Sequence, residues 1–180
     1  MTKVQLIVMS GLPGSGKSTI AVGLSKILRA AILSVDPIEA AMWASGLRKE
    51  QTGMAAYAIA QALAAENLQQ GLSVIIDAVN PVEAARAMWR DTAHRHAVPL
   101  TFIEVVCSDP QVHQTRVEQR VRGIPNMPEV SWADIAARRA EYETWTGPRI
   151  LLDSASSDPG ALIAEAMKQL EQPGHGTLLS

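Results

Sequence analysis

Residues 11–19 read Gly-Leu-Pro-Gly-Ser-Gly-Lys-Ser-Thr and follow Val4–Met9 (VQLIVM), a mostly apolar run that breaks at Ser10 and Gly11. Glycine, four free positions, glycine, lysine and a hydroxyl residue form the phosphate-loop (P-loop, Walker A) pattern, which carries meaning only between a strand and a helix. Both flanks are present here. VQLIVM reads as a buried parallel strand, and Ile20, Leu24, Ile27 and Leu28 recur at helical spacing after Gly16. Such a loop constrains the whole chain, because it belongs on the carboxyl edge of a parallel sheet where its amides can meet phosphate.

The remaining sequence agrees with that constraint. Ala31–Val35 (AILSV), Leu72–Ile76 (LSVII), Leu100–Val106 (LTFIEVV) and Ile150–Leu152 read as further strands. Helical patterns over Pro37–Ala44, Gly53–Gln70, Val82–His96, Pro110–Arg122, Trp132–Thr144 and Pro159–Glu171 separate or follow them. This alternation predicts right-handed βαβ units, hence an α/β fold with a five-stranded parallel sheet between two layers of helices. With 180 residues, 47% of them hydrophobic, the chain matches one domain with a substantial core. We expect that domain over 1–171, with the turn-rich stretch 172–180 as a flexible tail.

Composition narrows the setting. Sixteen basic and eighteen acidic residues give a formal charge of −2, so no global positive field favours a nucleic acid backbone. A single cysteine, Cys107, excludes an intrachain disulfide framework and fits a reducing compartment. The sequence shows no secretory-signal pattern and no apolar run of membrane-spanning length, so the expected location is the cytoplasm.

The loop residues imply phosphate chemistry. Glycines at 11, 14 and 16 allow backbone conformations that turn several N–H groups toward one anion, with Leu12, Pro13 and Ser15 completing the turn. Lys17 can reach the β- and γ-phosphates, the Ser18 hydroxyl is placed to ligate Mg²⁺, and Thr19 is a less committed neighbour. The expected ligand is therefore ATP or GTP with Mg²⁺. Asp36 follows the second strand in Ser34-Val35-Asp36-Pro37, where a carboxylate can take the proton of an attacking hydroxyl. The alternative is an N-cap, since aspartate before proline also starts helices. Asp77 closes the third strand in Val-Ile-Ile-Asp, the Walker B arrangement for Mg²⁺, with a loop cap as its alternative.

Arg116 and Arg120 stand four residues apart, hence on one face of a helix from Pro110, with Arg122 beyond and Gly123-Ile124-Pro125 breaking it. Two guanidinium groups there can clamp transferring phosphates, whereas an Arg122–Glu118 surface pair is the ordinary alternative. Residues 123–130 (GIPNMPEV) then form the mobile part of a lid, expected around 110–145, that excludes water. Met42, Trp43, Met54 and Tyr57 follow the second strand and are candidates to line an acceptor pocket, against plain core packing.

From Val4 to about Leu152 the combination of GLPGSGKST, a strand ending SVD, a strand ending VIID and spaced lid arginines resembles the small P-loop kinases that include polynucleotide 5′-hydroxyl kinases and chloramphenicol phosphotransferase. The resemblance implies sheet order 2-3-1-4-5, Asp36 as general base, Lys17 on the phosphates, Ser18 on Mg²⁺ and Arg120 as a lid residue beside Arg116. It also places the loop 153–158 near the purine. Polynucleotide kinases typically carry an arginine three residues after the base, where this chain has Glu39. A carboxylate there repels a substrate phosphate, and the stretch VDPIEA is more similar to chloramphenicol phosphotransferase. The expected acceptor is thus a hydroxyl on a small molecule such as an antibiotic, nucleoside or sugar. A polynucleotide end, or no acceptor at all in a nucleotide-hydrolysing switch, is the alternative.

Overall fold

The computed structural model describes residues 3–121 and 123–172, so Arg122 and most of the expected tail, 173–180, lie outside the described residues. The strands are β1 (Leu6–Ser10), β2 (Ala31–Ser34), β3 (Val74–Asp77), β4 (Leu100–Val106) and β5 (Ile150–Asp153). The helices are α1 (Lys17–Leu28), α2 (Val35–Ala44), α3 (Gly53–Gln69), α4 (Glu83–Arg95), α5 (Pro110–Gln119), α6 (Trp132–Ala140) and α7 (Pro159–Leu170), with a short 3₁₀ turn at Lys49–Gln51. All strand pairs are parallel and their order is β2-β3-β1-β4-β5, as the resemblance implies.

Why β1 reads as an unbroken apolar run is visible in its two faces. Leu6 and Val8 pack with Val74, Ile76 and Phe102 against α3 and α4, while Ile7 and Met9 pack with Ile75, Ile103 and Val105 against α1 and α7. Successive strand side chains alternate sides, so a strand buried on both faces must be apolar throughout. On α3, Ala56, Ala60 and Ala64 form the buried stripe at four-residue spacing, and side chains this small let the helix sit close to the sheet.

Two boundaries differ from the periodicity in ways that bear on function. The second strand stops at Ser34 and the chain passes straight into α2, so Ser34 is the N-cap and Asp36 lies inside the first helical turn. Aspartate before proline caps α5 (Asp109-Pro110) and α7 (Asp158-Pro159), where each carboxylate accepts two backbone N–H bonds. The third such pair, Asp36-Pro37, does not cap, which corrects the cap alternative. Helix α5 ends at Gln119 rather than Arg122, so Arg120 (φ −72, ψ 127) has extended backbone outside the helix. The expectation that Arg116 and Arg120 share one helical face is corrected accordingly.

Candidate functional site

The phosphate loop bridges β1 and α1, and its backbone requires glycine at specific points. Gly11 has φ +131, and a Cβ there would meet the Val105 carbonyl at 2.2 Å, so only glycine lets the loop cross β4 so closely. Gly16 is the N-cap of α1 in left-handed conformation and offers no side chain to the first turn. The Ser15 amide turns back to the Leu12 carbonyl and the Gly11 amide reaches the Val79 carbonyl. The amides of Gly14, Gly16, Lys17 and Ser18 meet no acceptor among the described residues. Orphan donors at a helix start, with the positive end of the helix dipole behind them, form an anion site.

Lys17 is buried, and with Gly14, Gly16, Ser18 and Thr19 it lines a cavity of about 350 Å³ whose opposite wall is Arg116, Gln119 and Arg120. Both arginines therefore reach the loop despite the early end of α5. Arg116 is pinned by its own bonds, Nη1 to Ser154 Oγ at 2.7 Å and Nη2 to the Ser154 carbonyl at 2.8 Å. Its guanidinium also borders an adjoining cavity of about 200 Å³ formed with Ile20, Ser154, Ser157, Pro159 and Leu162. The loop after β5 thus lies beside the phosphate loop. Asp153 turns that loop by accepting from the Ser108 and Ala155 amides, and these bonds hold its carboxyl below the usual range.

Gly11, Leu12 and Ser15 face away from this cavity and line a separate space of about 380 Å³ under Arg139 and Tyr142. Pro13 is engaged otherwise: its carbonyl lies 2.8 Å from His113 Nε2. The proposed metal ligands sit on neighbouring elements. Asp77 ends β3 in register with Met9 of β1 and Ser34 of β2, and its Oδ1 is buried without a hydrogen-bond partner among the described residues. An unpaired buried carboxylate oxygen beside the phosphate loop fits a hydrated Mg²⁺ that takes its remaining ligands from phosphate and water. Among the described residues no cluster of three or more His, Cys, Asp or Glu side chains that could hold a metal ion occurs.

Asp36 is half-buried at the other side of the sheet edge, close enough to Tyr57 that its charge, with that of Glu39, adds to burial in pushing the Tyr57 hydroxyl up to about 12. Tyr57 Oη accepts from the Asn80 amide at 3.2 Å and so ties α3 to the segment after Asp77. Glu39 accepts from Thr52 Oγ1, which accepts from Trp43 Nε1, fixing the turn between α2 and α3. Met42 and Tyr57 pack on the core, and Met54 is 80% exposed.

The sequence reading missed Arg86. It is fully buried, donates to the carbonyls of Asn80, Pro81, Glu143 and Thr144, and lies 4.0 Å from the Trp145 ring centroid. These contacts bind the segment after Asp77 to the segment after α6, and Tyr142 adds a 2.9 Å bond to Ser10 at the foot of the phosphate loop. The signal was present: Arg86, Trp89 and Ala93 share the buried phase of α4.

His113 supplies a pH-dependent test of this local packing. Burial, with lesser contributions from the Arg139 and Arg116 charges, lowers its pKa below 6.5 despite the opposing bond to Pro13. Above pH 6.5 the imidazole is neutral in both states. Below it the unfolded chain binds a proton that the folded one refuses, so stability falls from about pH 6.5 down to the depressed folded value. The melting temperature should fall over this window, and His113→Gln should flatten that fall. Parallel curves for the two proteins would reject the assignment.

A family model described as an AAA domain matches residues 6–143. Uncharacterized protein Rv2004c of Mycobacterium tuberculosis is 30% identical over 155 residues, covering 78% of this chain but 30% of the relative, and Uncharacterized protein Mb2027c of Mycobacterium bovis matches to the same extent. The chain thus spans less than a third of the length of these curated relatives. Among solved structures, a sugar kinase from a Janibacter species superimposes with TM-score 0.71 at 21% identity, covering 97% of this chain and 99% of that one. The Mycobacterium tuberculosis APS kinase CysC in complex with AMPPNP and APS gives 0.72 at 17% identity (96% and 100% covered). Chaetomium thermophilum Kti12 in complex with ADP-AlF3 gives 0.66 at 20% (93% and 100% covered). These likenesses establish the fold.

Proposed function

The chain belongs to the AAA domain family, and from that premise we propose that it is a nucleoside-triphosphate-dependent phosphotransferase that moves the γ-phosphoryl group of ATP or GTP to a hydroxyl of a small molecule. One observation carries the reading. Loop amides that meet no acceptor among the described residues, the buried Lys17 and two arginines from the opposite wall converge on one cavity of about 350 Å³. In phosphoryl transfer the protein's task is positioning and charge stabilisation, and this set of donors supplies both.

Within this reading Gly14, Gly16, Lys17 and Ser18 hold the β- and γ-phosphates, and Arg116 and Arg120 neutralise charge on the transferring group. Ser18 and Asp77 would hold Mg²⁺, which when bound offsets phosphate charge. The space beside Arg116 and Ser157 takes the purine. Asp36 orients the acceptor hydroxyl and takes its proton from the sheet edge opposite the arginine wall. Residues 110–145 act as the lid, with Arg120 on the extended strip that joins α5 to the rest. Glu39 disfavours a phosphate-bearing acceptor next to Asp36, which supports a small molecule, such as an antibiotic, nucleoside or sugar, over a polynucleotide end. No helix among the described residues is long and apolar enough to cross a membrane.

The test is a screen of hydroxyl compounds for acceptor-stimulated release of ADP or GDP by the full chain. A stimulating compound recovered with one added phosphate supports the proposal. Nucleotide hydrolysis that no acceptor changes would instead favour a hydrolysing switch.

A further inference from the structure

His113 is 2% exposed on α5, three residues before Arg116. Its Nε2 lies 2.8 Å from the Pro13 carbonyl oxygen, so the ring donates an N–H to the tip of the phosphate loop across one hundred residues of sequence. Its ring stands edge-on to Trp132 at 5.2 Å and 82°. A Cβ at Gly14 would approach the ring to 3.2 Å, so the glycine leaves the imidazole room to reach its acceptor. The other ring nitrogen, Nδ1, is buried without a partner among the described residues, which assigns the hydrogen to Nε2.

The bond matters because of what shares its peptide group. Pro13 C=O and Gly14 N–H belong to one planar trans unit, in which carbonyl and amide point in opposite directions. Gly14 has φ +84, and as glycine it tolerates either orientation of that unit at little cost. A peptide free to flip would present the carbonyl oxygen, rather than the amide, to an incoming phosphate. We propose that His113 is a positioning residue of the nucleotide site: by holding the Pro13 carbonyl it keeps the Gly14 amide turned toward the cavity that Gly14, Lys17 and Arg116 share. This inference rests on the phosphate-binding reading of the loop and adds to it a residue outside the glycine pattern.

The test compares wild type, His113→Phe and His113→Gln in the full chain, measuring ATP affinity with Mg²⁺ and melting temperature. Phenylalanine keeps an aromatic ring against Trp132 but cannot donate. Glutamine loses the ring but places an amide N–H at the reach of Nε2. The expected result is a loss of ATP affinity of about tenfold to a hundredfold in His113→Phe, the range for a hydrogen bond to a charged ligand. His113→Gln should bind within about threefold of wild type although it melts lower than His113→Phe. Affinity that follows melting temperature across the three proteins, or equal affinity in all of them, would overturn the positioning role. Absence of ATP binding by wild type itself would remove the phosphate-binding reading and the inference with it. That outcome is distinct, because it appears before any substitution is made.

Discussion

Asp36→Asn is expected to lower phosphoryl transfer by about a hundredfold to ten-thousandfold while leaving nucleotide binding in place, the usual cost of removing a general base. Asparagine keeps the size and hydrogen-bonding reach of the side chain but cannot accept the hydroxyl proton. The fold sharpens the expectation, because Ser34 and not Asp36 occupies the N-cap position of α2. A carboxylate inside the first turn gains a favourable interaction with the helix dipole, about 0.3–1 kcal/mol. Both Asp36→Asn and Asp36→Ala should lose transfer while nucleotide binding persists. Acceptor phosphorylation and melting temperature recorded together decide the matter. An asparagine variant that phosphorylates the acceptor at the wild-type rate would remove Asp36 from the mechanism.

Lys17→Ala should abolish most transfer, by about a hundredfold to a thousandfold, the range for losing one preorganised group that stabilises developing charge. Lys17 is buried at the start of α1 and lines the loop cavity, so its charge acts at short range on phosphate held there. Alanine is the strongest helix former, so the fold should survive. Turnover measured beside nucleotide affinity separates the two effects. Near-normal transfer with verified nucleotide binding would reject the role of Lys17.

Much of this molecule is written in local pattern. The phosphate loop declares itself through glycine spacing between an apolar run and a helical one, because the glycines answer local steric demands that the chain meets with its own backbone and the adjacent strand. Strand and helix alternation sufficed for an α/β sheet, since an apolar run buried on both faces and a helix with one apolar stripe each have a periodicity that needs no partner to be read. The sheet order came from resemblance to known kinases, and the register agrees with it.

What the sequence by itself determined is therefore the phosphate loop, the layered architecture and the residues able to serve phosphate chemistry. Which of those residues meet was decided by tertiary structure. The pairs Asp36-Pro37, Asp109-Pro110 and Asp158-Pro159 look alike in sequence, yet only the last two cap helices, because β2 ends at Ser34 and starts α2 early. Arg120 leaves the helix that periodicity drew for it and still lines the loop cavity with Arg116, since His113 ties α5 to the tip of the phosphate loop. Arg86 and His113 have no motif at all. Their partners are backbone carbonyls up to one hundred residues away, and a carbonyl is present at every position of a chain, so only folding selects which one a side chain can reach.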